Sequence, residues 1–145
     1  MKGVSLQMLA LSELKPHEYT DDCRVKYVMD EISRSKLWKA PVVVDYSTKI
    51  IMDGHHRVQA ANIIGLKSIP CYMTNYSDKN IKVCCWKTGN KFDKSQIYLA
   101  ASSGYLLPIK TTRHVIDYEL KELSLDIELL KSDIDKKNFY ELSNQ

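Results

Sequence analysis

No stretch of this chain approaches the roughly 20 apolar residues that a membrane-spanning helix needs, and no charged leader followed by an apolar signal segment opens it. A soluble, cytoplasmic protein is therefore expected, with no membrane partner. Glycine and proline are scarce, at five and four in 145 residues, which excludes collagen-like and low-complexity compositions. The four cysteines come without a secretion signal, so reduced thiols rather than a disulfide framework are expected. Adjacent Cys84 and Cys85 would face opposite sides of a strand, poor geometry for chelating one zinc, and all four thiols are read as packing residues. A concentrated basic stripe is missing too. The 21 Lys and Arg are scattered among 18 Asp and Glu for a net charge of +3, so a nucleic-acid partner is not expected.

What is present is an ordinary globular composition, 44% hydrophobic and 27% charged, at a length that suits one domain. Val4, Leu6 and Met8 alternate as in a strand before Pro16 turns the chain. Thr20 offers an N-cap, and Val25, Val28, Met29 and Ile32 recur at helical spacing, predicting a helix over about 21–35. The β-branched runs 41–45 and 49–52 read as a hairpin. A glycine turn and a helix from His55 to Ile64 follow, closed by Gly65. Further strands are expected over 69–73, where Pro70 suggests an edge or a strand start, and over 81–86. A short helix over 95–103 ends at Gly104. The segment 119–131 fits both periods, with a slight lean to helix. The polar remainder, 132–145, is expected to fray as a tail, with Phe139 and Tyr140 able to dock.

Two polar clusters interrupt this pattern. Asp53-Gly54-His55-His56-Arg57 stands where a strand hands over to a helix, so backbone donors and the helix dipole converge on one small volume suited to phosphate. Gly54 permits close approach, Arg57 can grip two oxygens, and the histidines can donate hydrogen bonds or exchange protons near neutral pH. Singly, these residues would be a cap, a turn and surface histidines; five in a row at the end of an apolar strand point to function. The second cluster, Lys110-Thr111-Thr112-Arg113-His114, offers the groups that hold carboxylates and phosphates. Glu18 and Trp86, read alone, are a surface carboxylate and a packing aromatic.

Together these pieces resemble the ParB and sulfiredoxin superfamily, in which a glycine turn ending in Arg cradles nucleotide phosphates. Sulfiredoxin carries its catalytic cysteine where His55 stands here, so the sulfinic-acid reductase reading fails. ParB's box is followed by a helix-turn-helix domain, which this chain is not expected to hold. The chain is most similar to the free L-serine kinases. Lys15-Pro16-His17-Glu18 matches their catalytic-glutamate segment, Trp38-Lys39 precedes the hairpin, and residues 53–57 match the phosphate motif. Val83-Cys84-Cys85-Trp86 resembles the strand with a substrate-side tryptophan, and residues 108–114 resemble the Pro-Lys-Thr-Thr-Arg-His signature.

The resemblance implies an α/β (α+β) domain over 1–131, a small mixed sheet flanked by helices. It implies phosphoryl transfer from ADP or ATP, with Mg2+, to free L-serine, giving O-phosphoserine. Glu18, Asp53 and His56 would be catalytic, with Glu18 taking the hydroxyl proton and Asp53 positioning that hydroxyl or a magnesium ion. Gly54, His55, His56 and Arg57 would hold the donor, and Trp86, Thr111, Thr112, Arg113 and His114 the amino acid. It also implies that 119–131 is extended rather than helical. The rival reading is a ParB-like nucleotide switch that binds without turnover; another keeps the mechanism but uses homoserine, threonine or a peptide serine as acceptor.

Overall fold

The computed structural model describes residues 3–132. Its centre is a four-stranded mixed sheet in the order β1-β5-β3-β4, built from β1 (Ser5–Ala10), β3 (Val42–Asp45), β4 (Ile51–Asp53) and β5 (Ser68–Thr74). β5 runs antiparallel to β1 and parallel to β3, and β3 and β4 form the expected hairpin. α1 (Asp22–Ser35) and α2 (His55–Ile64) cover one face. α3 (Lys94–Ser103) and the hairpin of β6 (Ile81–Cys85) with β7 (Thr112–Ile116) cover the other. The α/β class with a small mixed sheet is as the sequence reading had it.

The unbroken Val42-Val43-Val44 run is explained by this sandwiching. Val42 and Val44 pack toward α1 and α2, while Val43 joins Ile50, Met52, Ile81, Val83 and Ile97 on the opposite side. All three valines are fully buried, each contributing about 1.5–3 kcal/mol of apolar transfer. A strand covered on both faces has no polar alternation to show.

Three local expectations change. The N-cap of α1 is Asp21, whose side chain accepts from the Cys23 amide, rather than Thr20; aspartate also sits favourably at the dipole's positive end. Pro70 lies inside an interior strand. Pairing to β3 begins at Cys71, so the missing Pro70 N–H falls before the doubly paired stretch. The 119–131 segment is neither one helix nor one strand. β8 (Leu125–Asp126) pairs with β2 (Leu37–Trp38), and Asp126 then caps the single turn of α4 (Ile127–Leu130). The exposed pairing groups of 37–38 supply the partner that local periodicity could not reveal. The expected tail, except Ser132, lies outside the described residues, as do Phe139 and Tyr140. No helix among the described residues is long and apolar enough to cross a membrane.

Candidate active site

The abrupt end of β4 builds the first wall. Gly54 has φ +107° and caps α2, and a Cβ there would lie 2.9 Å from Val42 Cγ2. Only glycine lets the corner sit this close to β3. The first-turn amides of α2 thus open toward a cleft of about 390 Å³ lined by Asp53, Gly54, His55, His56 and Arg57. The Asp53 carboxylate is exposed and has no hydrogen-bond or ion-pair partner among the described residues.

The second wall is the loop carrying Glu18. Lys15 N–H donates to the Lys49 carbonyl, and the Lys15 carbonyl accepts from Ile51 N–H, stitching the loop to the central hairpin. On the other side Leu107 N–H donates to the His17 carbonyl and Tyr19 N–H to the Leu107 carbonyl, each at 2.9 Å. Two histidines complete the ties: His55 Nε2 accepts from His17 N–H at 3.2 Å, and His56 Nε2 accepts from Asp21 N–H at 3.1 Å. An accepting Nε2 leaves the ring proton on Nδ1, so both rings are neutral as arranged. Burial, joined by the neighbouring His17, His114 and His56, holds His55 well below the usual histidine range; burial, then Arg24, also lowers His56. The double histidine therefore fastens the glycine corner to the backbone on either side of Glu18.

The third wall is the segment entering β7. Lys110 adopts a left-handed φ of +59°, and the turn aims consecutive amides at one carboxylate. Glu18 Oε1 accepts from Thr111 N–H and, at 3.4 Å, from Thr112 N–H. Thr112 Oγ1 lies 3.3 Å from Glu18 Oε2. These donors favour the ionised carboxylate, yet burial outweighs them and raises the Glu18 pKa. Oε2 keeps a lone pair for the cleft, since a carboxylate oxygen accepts more than one hydrogen bond.

Glu18, Asp53, Gly54, His55, His56, Arg57, Trp86, Thr112, Arg113 and His114 all line the one cleft. Thr111 does not: its hydroxyl turns to the Pro108 carbonyl at 2.6 Å, and its contribution is its amide on Glu18. Trp86 stands 49% exposed at the rim, with the Arg113 guanidinium 5.4 Å from its ring centre. The sequence reading passed over Arg24, which lines the cleft from α1, and the two groups behind His114 and Thr112. Tyr76 Oη is 2.9 Å from His114 Nε2, and His17, fully buried, has Nε2 3.1 Å from Thr112 Oγ1. His17 was visible only as a neighbour of Glu18; its burial follows from long-range packing. Burial lowers His17 to about 4 and His114 to about 3.

No family model matches the chain. Among curated proteins it is 34% identical over 88 residues to a ParB-like protein of Sulfolobus acidocaldarius, covering 59% of this chain and 43% of that one. It is 30% identical over 92 residues to an ATP-dependent L-serine kinase of Desulfurococcus mucosus, covering 61% and 36%. An ADP-dependent L-serine kinase of Thermococcus kodakarensis is 24% identical over 100 residues, covering 66% of this chain and 41% of that one. The chain thus spans about two-fifths of the length of these relatives. A solved free serine kinase in complex with AMP superposes with a TM-score of 0.79 at 14% identity, over 89% of this chain and 95% of that one. The chain has the fold of the free serine kinases. SbnI of Staphylococcus aureus, truncated at its C-terminus, shares it with a TM-score of 0.71 at 13% identity, over 96% and 94%. The resemblance to ParB-like proteins and to serine kinases stands on the curated relatives together with this fold. Four cations, Arg24, Arg57, Lys110 and Arg113, face two carboxylates, Glu18 and Asp53, in the cleft of this serine-kinase fold, a balance suited to a polyanion.

Proposed function

We propose that the protein is a small-molecule kinase that moves a phosphoryl group from ADP or ATP to the hydroxyl of free L-serine, giving O-phosphoserine. The observation that carries this reading is the meeting of Glu18, the amide-rich corner at 54–57 and the β7 cluster around one cleft. The serine-kinase relatives add weight to it.

In this reading the donor phosphates sit on the α2 amides and Arg57. The nucleoside extends into an adjoining cleft of about 440 Å³ that shares Arg24, Val28 and Arg57 and is walled by Trp38. Trp86, Arg113 and His114 hold the amino acid. The serine oxygen attacks the terminal phosphorus; its bond to phosphorus forms as the bond to the bridging oxygen of the leaving nucleotide breaks. The serine proton passes to Glu18 Oε2, a carboxylate whose raised pKa improves it as a base. Positioning and charge neutralisation supply most of the rate in such transfers. Among the described residues no group of three or more His, Cys, Asp or Glu is arranged to hold a metal. Mg2+ would therefore arrive on the donor's phosphates, with Asp53 the carboxylate beside them. A soluble, cytoplasmic setting fits a reaction on free metabolites.

Phosphorus NMR with Mg2+, ADP or ATP, and serine, homoserine or threonine tests the proposal. A new phosphomonoester with serine, lost in Glu18→Ala, is expected. The relationship to a ParB-like protein favours a second reading, a switch that binds nucleotide without turnover. Nucleotide binding with no product from any acceptor would establish that reading instead.

A further inference from the structure

Behind the cleft stands a buried phenol to which the transfer chemistry assigns no task. Tyr76 is 3% exposed and firmly held. Its N–H donates to Asp45 Oδ1 at 2.9 Å, its carbonyl accepts from Lys94 Nζ, and its ring meets that of Tyr98 edge-on at 5.5 Å. The hydroxyl reaches β7, where Tyr76 Oη lies 2.9 Å from His114 Nε2, its one hydrogen-bond partner among the described residues. A phenol has one proton to give, and an imidazole nitrogen either donates or accepts. Were His114 Nε2–H to donate, the phenol proton would be left buried without an acceptor, a cost the reverse arrangement avoids. Tyr76 therefore donates, Nε2 accepts, and the proton of the neutral ring stands on Nδ1. Both groups keep these states near neutral pH. Burial, then Asp45 and Tyr98, pushes the Tyr76 phenol far up, while burial, then His17 and Lys94, lowers His114 to about 3. His114 Nδ1 has no partner among the described residues and is not sealed from solvent. Its ring lines the cleft together with Arg113 and Trp86.

We propose that Tyr76 is a positioning residue: its hydroxyl fixes His114 as an Nδ1–H donor to the cleft, where that N–H holds a carboxylate oxygen of the amino acid. A ring locked this way cannot accept from an ammonium group through Nδ1. It therefore sorts the two ends of an amino acid, and the Arg113 guanidinium in the same cleft favours the same carboxylate. The contact with serine rests on the kinase reading, whereas the tautomer does not.

The test is imidazole nitrogen NMR of the full chain, paired with serine kinetics. The parent should show His114 as the Nδ1–H tautomer. Tyr76→Phe, which keeps the ring and loses the hydroxyl, should show a mixture of both tautomers. The serine KM should then rise by about 3- to 10-fold, part of the loss expected for a hydrogen bond to a charged group, with kcat and the donor KM within about twofold of the parent. A His114→Asn background supplies the control. Whatever that change costs by itself, adding Tyr76→Phe should leave the serine KM where His114→Asn put it, because no tautomer remains to set. An Nε2–H tautomer in the parent, an unchanged tautomer in Tyr76→Phe, or the same rise in KM with and without His114 overturns the proposal. Should Tyr76→Phe not fold, the tautomer of the parent decides: Nδ1–H supports the proposal and Nε2–H overturns it. If the tautomer moves as stated and no variant or parent forms product, phosphoryl transfer is what falls, and the setting of His114 by Tyr76 survives.

Discussion

The corner at Gly54 makes a quantitative prediction because the protein carries its own control. Gly54 and Gly65 both have positive φ, +107° and +94°, so alanine at either position is strained by about 1–2 kcal/mol. The surroundings differ. A Cβ at Gly65 meets nothing within 4 Å, whereas at Gly54 it meets Val42 Cγ2 at 2.9 Å and Val42 Cα at 3.4 Å. Val42 is β-branched, fully buried and held in β3, so it cannot turn away cheaply, and overpacking of this kind costs about 1–3 kcal/mol more. With a urea slope of about 2 kcal/mol per molar, Gly65→Ala should lower the unfolding midpoint by about 0.5–1 M. Gly54→Ala should lower it by about 1–2.5 M and also weaken nucleotide binding, because the α2 amides must shift. Val42→Ala removes the Cγ2 atom, so the Gly54→Ala/Val42→Ala pair should be less unstable than the two losses added. Equal midpoint shifts for Gly54→Ala and Gly65→Ala, or strict additivity with Val42→Ala, would refute the close approach that shapes the corner.

Other outcomes follow from the same geometry. Arg57→Ala should weaken ADP binding by about 10- to 100-fold in calorimetry, the loss of a charge-assisted phosphate contact, and this holds whether or not the protein turns over. Trp86→Ala should raise the serine KM while leaving the nucleotide Kd within about twofold. Stability should fall as the solution is acidified. His17 and His114 are held neutral, at about 4 and about 3, whereas an unfolded histidine titrates near 6.5. The unfolded chain therefore binds more protons below about 6.5, and each of these histidines removes up to about 1.4 kcal/mol per pH unit down to its folded value. Glu18, raised by burial, opposes this trend in sign. A chemical-denaturation series from pH 7 to 4 in which the midpoint rises on acidification would contradict the buried neutral pair.

Much of the fold could be read from local pattern because its signals were local. The helix His55–Ile64 is announced by a glycine at each end, and the valine run of β3 by its branching. What escaped depends on distant chain. Leu125 and Asp126 extend only because Leu37 and Trp38 offer an unpaired edge, and Pro70 is interior only because β3 pairs one residue later. The site divides likewise. Residues 53–57 identify themselves as a strand-to-helix corner, while Glu18 stands out only through family resemblance. Nothing in the sequence says that His55 and His56 accept from the backbone around it, or that a left-handed Lys110 turns two amides onto its carboxylate. Those are consequences of segments 35 to 94 residues apart being pinned together.

The central claim is spatial: the base and the phosphate corner serve one reacting pair. The most direct measurement is a crystal structure of the protein with AMP and O-phosphoserine bound together. The phosphoserine ester oxygen should lie within about 3 Å of Glu18 Oε2, with its phosphate on the amides of residues 54–57 and its amino-acid end against Trp86 and Arg113. Nucleotide and phosphoserine bound on separate surfaces, or a phosphate corner occupied with Glu18 out of reach of the ester oxygen, would contradict it.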